Sequence, residues 1–135
     1  TSTGGNTGSQ AASVIIRALS LEEIEWKNIY TVLLKEFKIS LMIACTLFFF
    51  VVAKIISFSY LDDPHCNIFV LSCAIGLALS TQVVVSIVIG TTLPMIVKFF
   101  KMDPSVIASP AITTLVDVTG VIIYFSLVRY FIPFL

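Results

Sequence analysis

Apolar positions in this chain come in long blocks broken by short polar stretches. Ile39–Phe58 holds 20 residues with one charge, Lys54. Ile68–Val97 holds 30 with none, and Pro104–Val128 holds 25 with one, Asp117. At a rise of about 1.5 Å per residue, a helix over any of these blocks reaches across the roughly 30 Å hydrocarbon core of a bilayer. The stretches between them, residues 59–67 and 98–103, are short, and short connections make antiparallel neighbours. The pattern predicts an all-α fold, a polytopic transmembrane helical bundle in one domain over residues 1–135, with spans at 39–58, 68–97 and 104–128. The second span is longer than a bilayer requires, and Gly90 and Pro94 are its expected bend points. Ala11–Leu19 is apolar but too short to cross alone, so residues 1–19 are expected to be the end of a membrane helix, with the chain beginning inside it. Residues 20–38, SLEEIEWKNIYTVLLKEFK, read as an amphipathic helix with Ser20 and Glu23 in capping-box spacing and Trp26 and Tyr30 suited to an interface.

Composition agrees with this reading. The chain is 58% hydrophobic and 12% charged, about half the charge of a soluble domain. A net charge of zero leaves no electrostatic footprint for nucleic acid; the surroundings implied are membrane lipid. Cys45, Cys66 and Cys73 lack zinc spacing and do not form a disulfide framework. Of the eight basic residues, Arg17, Lys27, Lys35, Lys38, Lys98 and Lys101 fall at one side and Lys54 and Arg129 at the other. Positive-inside counting then places residues 20–38 and 98–103 in the cytoplasm of a multi-pass cell-membrane protein and the C-terminus outside.

Candidate chemistry concentrates in the last span. Asp117 lies near the middle of Pro104–Val128, where a carboxylate costs at least about 2.5–3.5 kcal/mol. A residue that costly faces water, an ion or a protein partner, and the only nearby basic candidate is Lys54, which can snorkel to the interface. At 100° per residue, Ser109, Thr113, Thr114, Gly120 and Tyr124 share a face with Asp117. Hydroxyls there can equally act as glue between helices. Pro110 lies on the same stripe and frees the carbonyl of Val106 as a further oxygen. A site built only of oxygens suits a hard cation. Mg²⁺ keeps most of its water and takes one or two carboxylates, so two Asp117 side chains about a dimer axis could hold it hydrated. Asp103-Pro104 reads as a helix start, with Asp103 as N-cap and Pro104 at the first helical position; an acid at a pore mouth can also meet a cation. The loop cluster Asp62, Asp63, His65 and Cys66 has no regular ligand spacing.

At the other end, GGNTGSQ (4–10) is not a phosphate loop, since it lacks the Lys-Ser/Thr ending. Gly4 and Gly8 do form GxxxG, a close-packing signature, and Asn6 offers an amide oxygen. This motif, a short apolar stretch and an Arg, together with MDPSVIASPAITTLVDVTGVIIYF near the other end, resembles the MgtE magnesium-channel family. The resemblance implies homodimers with five membrane helices per protomer, residues 1–19 as the later part of the second helix, and a pore at the dimer interface lined by the second and fifth helices of both protomers. It also implies Asp117 as the central pore acid, Ser109, Thr113 and Asn6 on the pore face, and Asp103 as an acid near the cytoplasmic mouth. The family's first membrane helix, and the N-domain and paired CBS domains that many relatives carry, match no segment of this sequence.

The function expected is a Mg²⁺-selective channel for magnesium uptake, other divalent cations remaining open as passengers. The alternatives are a proton- or Na⁺-coupled secondary transporter with Asp117 as the titrating site, and a non-transporting membrane scaffold. Catalysis is not expected: there is one His, no nucleophile–base pair at a recognisable spacing and no carboxylate dyad within one span.

Overall fold

A computed structural model describes residues 2–21, 28–59 and 68–131. Among them the chain forms four helices and no strand: α1 (Ser2–Ser20), α2 (Ile29–Ser59), α3 (Ile68–Phe99) and α4 (Pro104–Phe131). Three stretches are long and apolar enough to cross a membrane, Tyr30–Ser57, Ile68–Phe99 and Pro110–Phe131. The chain is a multi-pass membrane protein. Residues 29–38, read from sequence as part of a separate amphipathic helix, are the first turns of α2 and run unbroken into the apolar block. Ser20 ends α1, and its hydroxyl donates to the Ile16 carbonyl at 2.9 Å; its capping partner Glu23 and Trp26 lie outside the described residues, as does the 60–67 loop.

Helix α3 is the hub. It packs against α1, α2 and α4, and 39% of its most apolar stretch is buried, against 11% and 17% for the other two spans. The reason is in its side chains. Ser72, Ala74, Gly76, Ala78, Ser86, Gly90 and Thr91 are all buried and all small, and small residues let helix backbones approach where lipid supplies no hydrophobic drive. Its hydroxyls stay satisfied locally: Ser86 donates to the Gln82 carbonyl at 2.6 Å and Thr91 to Ile87 at 2.9 Å. One crosses to a neighbour, Ser80 donating to the Ala44 carbonyl of α2 at 2.9 Å. The helix passes through Gly90 and Pro94 without interruption.

Contacts give the directions. Gly4 of α1 lies at Gln82 and Ser86 of α3, Gly8 at Ser86 and Gly90, and Ile15 and Leu19 cluster with Met95, so α1 and α3 run parallel. Gly8 also meets Val116 and Ile112, and Ala12 packs with the same pair, so α4 runs antiparallel to α1. A Cβ at Gly90 would overlap the Gly8 carbonyl, so here α1 and α3 meet backbone to backbone. At Gly76 an added Cβ would sit 2.9 Å from the Phe48 ring edge.

The turn from α3 into α4 is closed by hydrogen bonds from the Met102 amide to the Val97 carbonyl, 3.2 Å, and from the Lys101 amide to Lys98, 2.9 Å. This is the Schellman pattern, and Lys101 holds its left-handed position with φ 58°, where glycine is usual.

Gly90→Ala should lower the melting temperature in detergent sharply, near the top of the about 1–3 kcal/mol range for overpacking, because the added methyl meets backbone. Gly76→Ala should cost clearly less, because a phenyl edge can yield. Equal losses in the two melts would contradict the crossing described.

Candidate cation site

Asp117 is exposed on α4, on the side where α4 meets α1. Its Oδ1 is 3.5 Å from where a Cβ on Gly5 would stand. Gly5 is buried. At Gly5, α1 thus lies beside the acid, and the next residue, Asn6, is exposed. Asn6 continues into a polar face on α1, where Asn6, Ser9, Gln10 and Ser13 line a groove of about 510 Å³ with Val14. Lys54 is exposed on α2, and among the described residues no ion pair joins it to Asp117.

The hydroxyls below Asp117 point to backbone. Thr113 and Thr114 both donate to the Pro110 carbonyl, at 3.0 and 2.9 Å. Their protons are engaged, and the oxygen lone pairs of Thr114 are what it could offer a hydrated cation. Thr114 is exposed and Thr113 half-buried. Ser109 is within α4, with its side chain outside those described. Tyr124 is exposed. Gly120 behaves differently: it is buried, and a Cβ there would overlap the carboxamide of Gln82. It faces α3 and does not share the open surface of Asp117.

Asp103 immediately precedes Pro104, the first residue of α4, in the place expected of an N-cap. It lies about 20 Å from Asp117 along the helix, so the two acids do not form one site. Asp103 lines a cavity of about 400 Å³ with Leu19, Ser20, Lys98, Lys101, Met102 and Pro104. Lys98 spans this corner, its ammonium donating to the Leu19 carbonyl at 2.6 Å. That places a cation at the C-terminal end of α1, where the helix dipole is negative. Arg17, Lys98 and Lys101 thus gather at one end of the bundle. Among the described residues, no three His, Cys, Asp or Glu side chains come together as a metal site. Asp117 is the one carboxylate at the centre of α4.

The sequence profile of the MgtE family, described as a divalent cation transporter, matches residues 1–127. The chain belongs to the MgtE family. Similar proteins include the magnesium transporter MgtE of Thermus thermophilus, 35% identical over 127 residues and 94% of this chain. Its counterparts in Bacillus subtilis and Enterococcus faecalis are 32% and 29% identical over 95% and 98% of the chain. The chain spans about a quarter of the length of these curated relatives, 26–28%. What it shares with MgtE is thus a membrane portion, and both motifs read from the sequence fall inside the matched residues.

One residue escaped the sequence reading. Gln82 is buried to 5% beside both Gly4 and Gly120. Its signal was present: it is the only carboxamide in the 30-residue charge-free block.

Lys98→Met, which keeps the stem and removes the charged donor, should lower stability by about 1.5–3 kcal/mol, the usual worth of a hydrogen bond to a charged group. A melting temperature matching the parent would show that the tie between α1 and α3 carries no load.

Proposed function

We propose that this MgtE-family chain is part of a magnesium transporter that passes hydrated Mg²⁺ inward through a channel, and that Asp117 is its central cation site. The observation that carries this reading is a carboxylate that is exposed on the single chain, mid-span, on a helix whose exposed residues around it include Leu115, Val118, Val121, Ile122 and Phe125. Facing lipid, that group would cost at least about 2.5–3.5 kcal/mol. A second copy about a two-fold axis removes the cost: two Asp117 carboxylates then share one cation, and the polar faces of the two α1 helices wall a wet path. The pore forms at that homodimer interface.

Two carboxylates with threonine and amide oxygens suit a hard divalent ion that retains its water shell. Contact through water also lets the ion leave, since a fully stripped ion between two carboxylates would bind too tightly to conduct. Asn6, Ser9 and Gln10 extend the path along α1. Asp103 attracts cations at the mouth in addition to starting α4. The end of the bundle holding Arg17, Lys98 and Lys101 is cytoplasmic, with Lys54 and Arg129 at the outer side. The magnesium transporters named above support the choice of ion.

Asp117→Asn in the full-length protein should lower Mg²⁺ uptake by at least about tenfold, as loss of one charge from each of two facing sites implies, with dimer assembly intact. Unchanged uptake would remove Asp117 from the path. Unitary current steps are expected from the parent in planar bilayers; slow, saturating flux that tracks a proton or Na⁺ gradient would replace the channel by a coupled transporter.

A further inference from the structure

The one carboxamide of α3 is held in a slot made by two other helices. Gln82 is 5% exposed. A Cβ on Gly4 of α1 would stand 2.8 Å from its Nε2 and 3.0 Å from its Cγ, and 2.9 Å from Ser86 Oγ. A Cβ on Gly120 of α4 would overlap the same amide and lie 2.7 Å from Cδ. A Cβ at either glycine would force the Gln82 carboxamide to shift, and as the chain stands the side chain fills what both leave open. No buried side-chain polar atom among the described residues lacks a hydrogen-bond partner.

The slot lies directly behind Asp117. Gly120 is one helical turn beyond the acid, about 4.5 Å along the axis. Gly4 adjoins Gly5, which lies against the Asp117 carboxylate at ordinary van der Waals distance for a Cβ. At one level of the bundle, then, α1 and α4 touch Asp117 on their open side and Gln82 on the side of α3. Their separation there depends on what stands between Gly4 and Gly120.

We infer that Gln82 is a positioning residue for the cation site: its carboxamide is the spacer that fixes α1 against α4 and thereby places Asn6 and Asp117 relative to each other. The inference rests on the reading of Asp117 as the cation site. A purely apolar filler would let the two helices settle at another distance, and a displacement of about 1 Å at a site that discriminates by geometry alters affinity and preference strongly.

The test uses the full-length protein in liposomes, reading the half-saturating Mg²⁺ concentration, the ratio of Mg²⁺ to Co²⁺ flux, dimer fraction and melting temperature. Gln82→Met, of similar length without the amide, should change the first two by at least about fivefold at unchanged dimer fraction. Gly120→Ala should produce a comparable change, and Gln82→Ala combined with Gly120→Ala should stay altered at the site, because the clash is relieved but the spacer is gone. If Gln82→Met fails to assemble, Gln82→Asn is read in the same way. Half-saturation and flux ratio within about twofold of the parent would overturn the inference and leave Gln82 a packing wedge, whatever the melting temperature does. Asp117→Asn in the same assay separates the two ideas. If it is inert, the cation-site reading fails; if it abolishes flux while the Gln82 variant is silent, the positioning role alone fails.

Discussion

The close approach of α1 to α3 is the constraint on which the bundle depends. A bilayer gives helices little hydrophobic reason to associate, because lipid tails are as apolar as leucine. What remains is packing, and packing requires small residues at the contact. Gly8 lies against Gly90 with no room for a Cβ. Above that point Gly4 admits Gln82, and below it Ile15 and Leu19 close on Met95. The tie from Lys98 to the end of α1 finishes the same seam. With α1 held in this way, α4 can pack into the angle between α1 and α3 and bring Asp117 to Gly5.

The two polar groups of the bundle centre illustrate opposite solutions to the same cost. Gln82 is buried within a single chain, enclosed by glycines of α1 and α4. Asp117 is left on the surface, where only something outside the chain can cover it. A neutral amide can be satisfied by backbone and hydroxyl groups of its own bundle, whereas an ionised carboxylate at that depth needs water, a cation or a partner. The division between a closed inner face and an open outer one follows from that difference in chemistry, and it gives α4 its two roles.

The corner at Lys98–Pro104 adds a further compromise. The α3 terminus adopts a glycine-type geometry with lysine in the left-handed position, a conformation unfavourable by about 1–2 kcal/mol for a residue with a Cβ. The positive charge it keeps lies beside Lys98 and Asp103 around one cavity. Stability is yielded there in favour of charge at the membrane boundary.

The sequence by itself determined the fold class, the three spans and the acid of α4, because each follows from transfer energies that do not depend on neighbours. It also marked Gly4 and Gly8 as a contact surface and Asp103-Pro104 as a helix start. The start of α2 was not legible, since EFK charges at 36–38 look like an interface segment until the helix is seen to continue through them. Gly120 shows the limit most clearly. Helical spacing placed it with Asp117, but 60° of rotation around α4 separates a surface facing outward from one facing Gln82. Which glycine receives which side chain depends on the angle and register of three helices together, and only the tertiary structure decides that. Gln82 was one polar residue in a long apolar block until α1 and α4 closed around it.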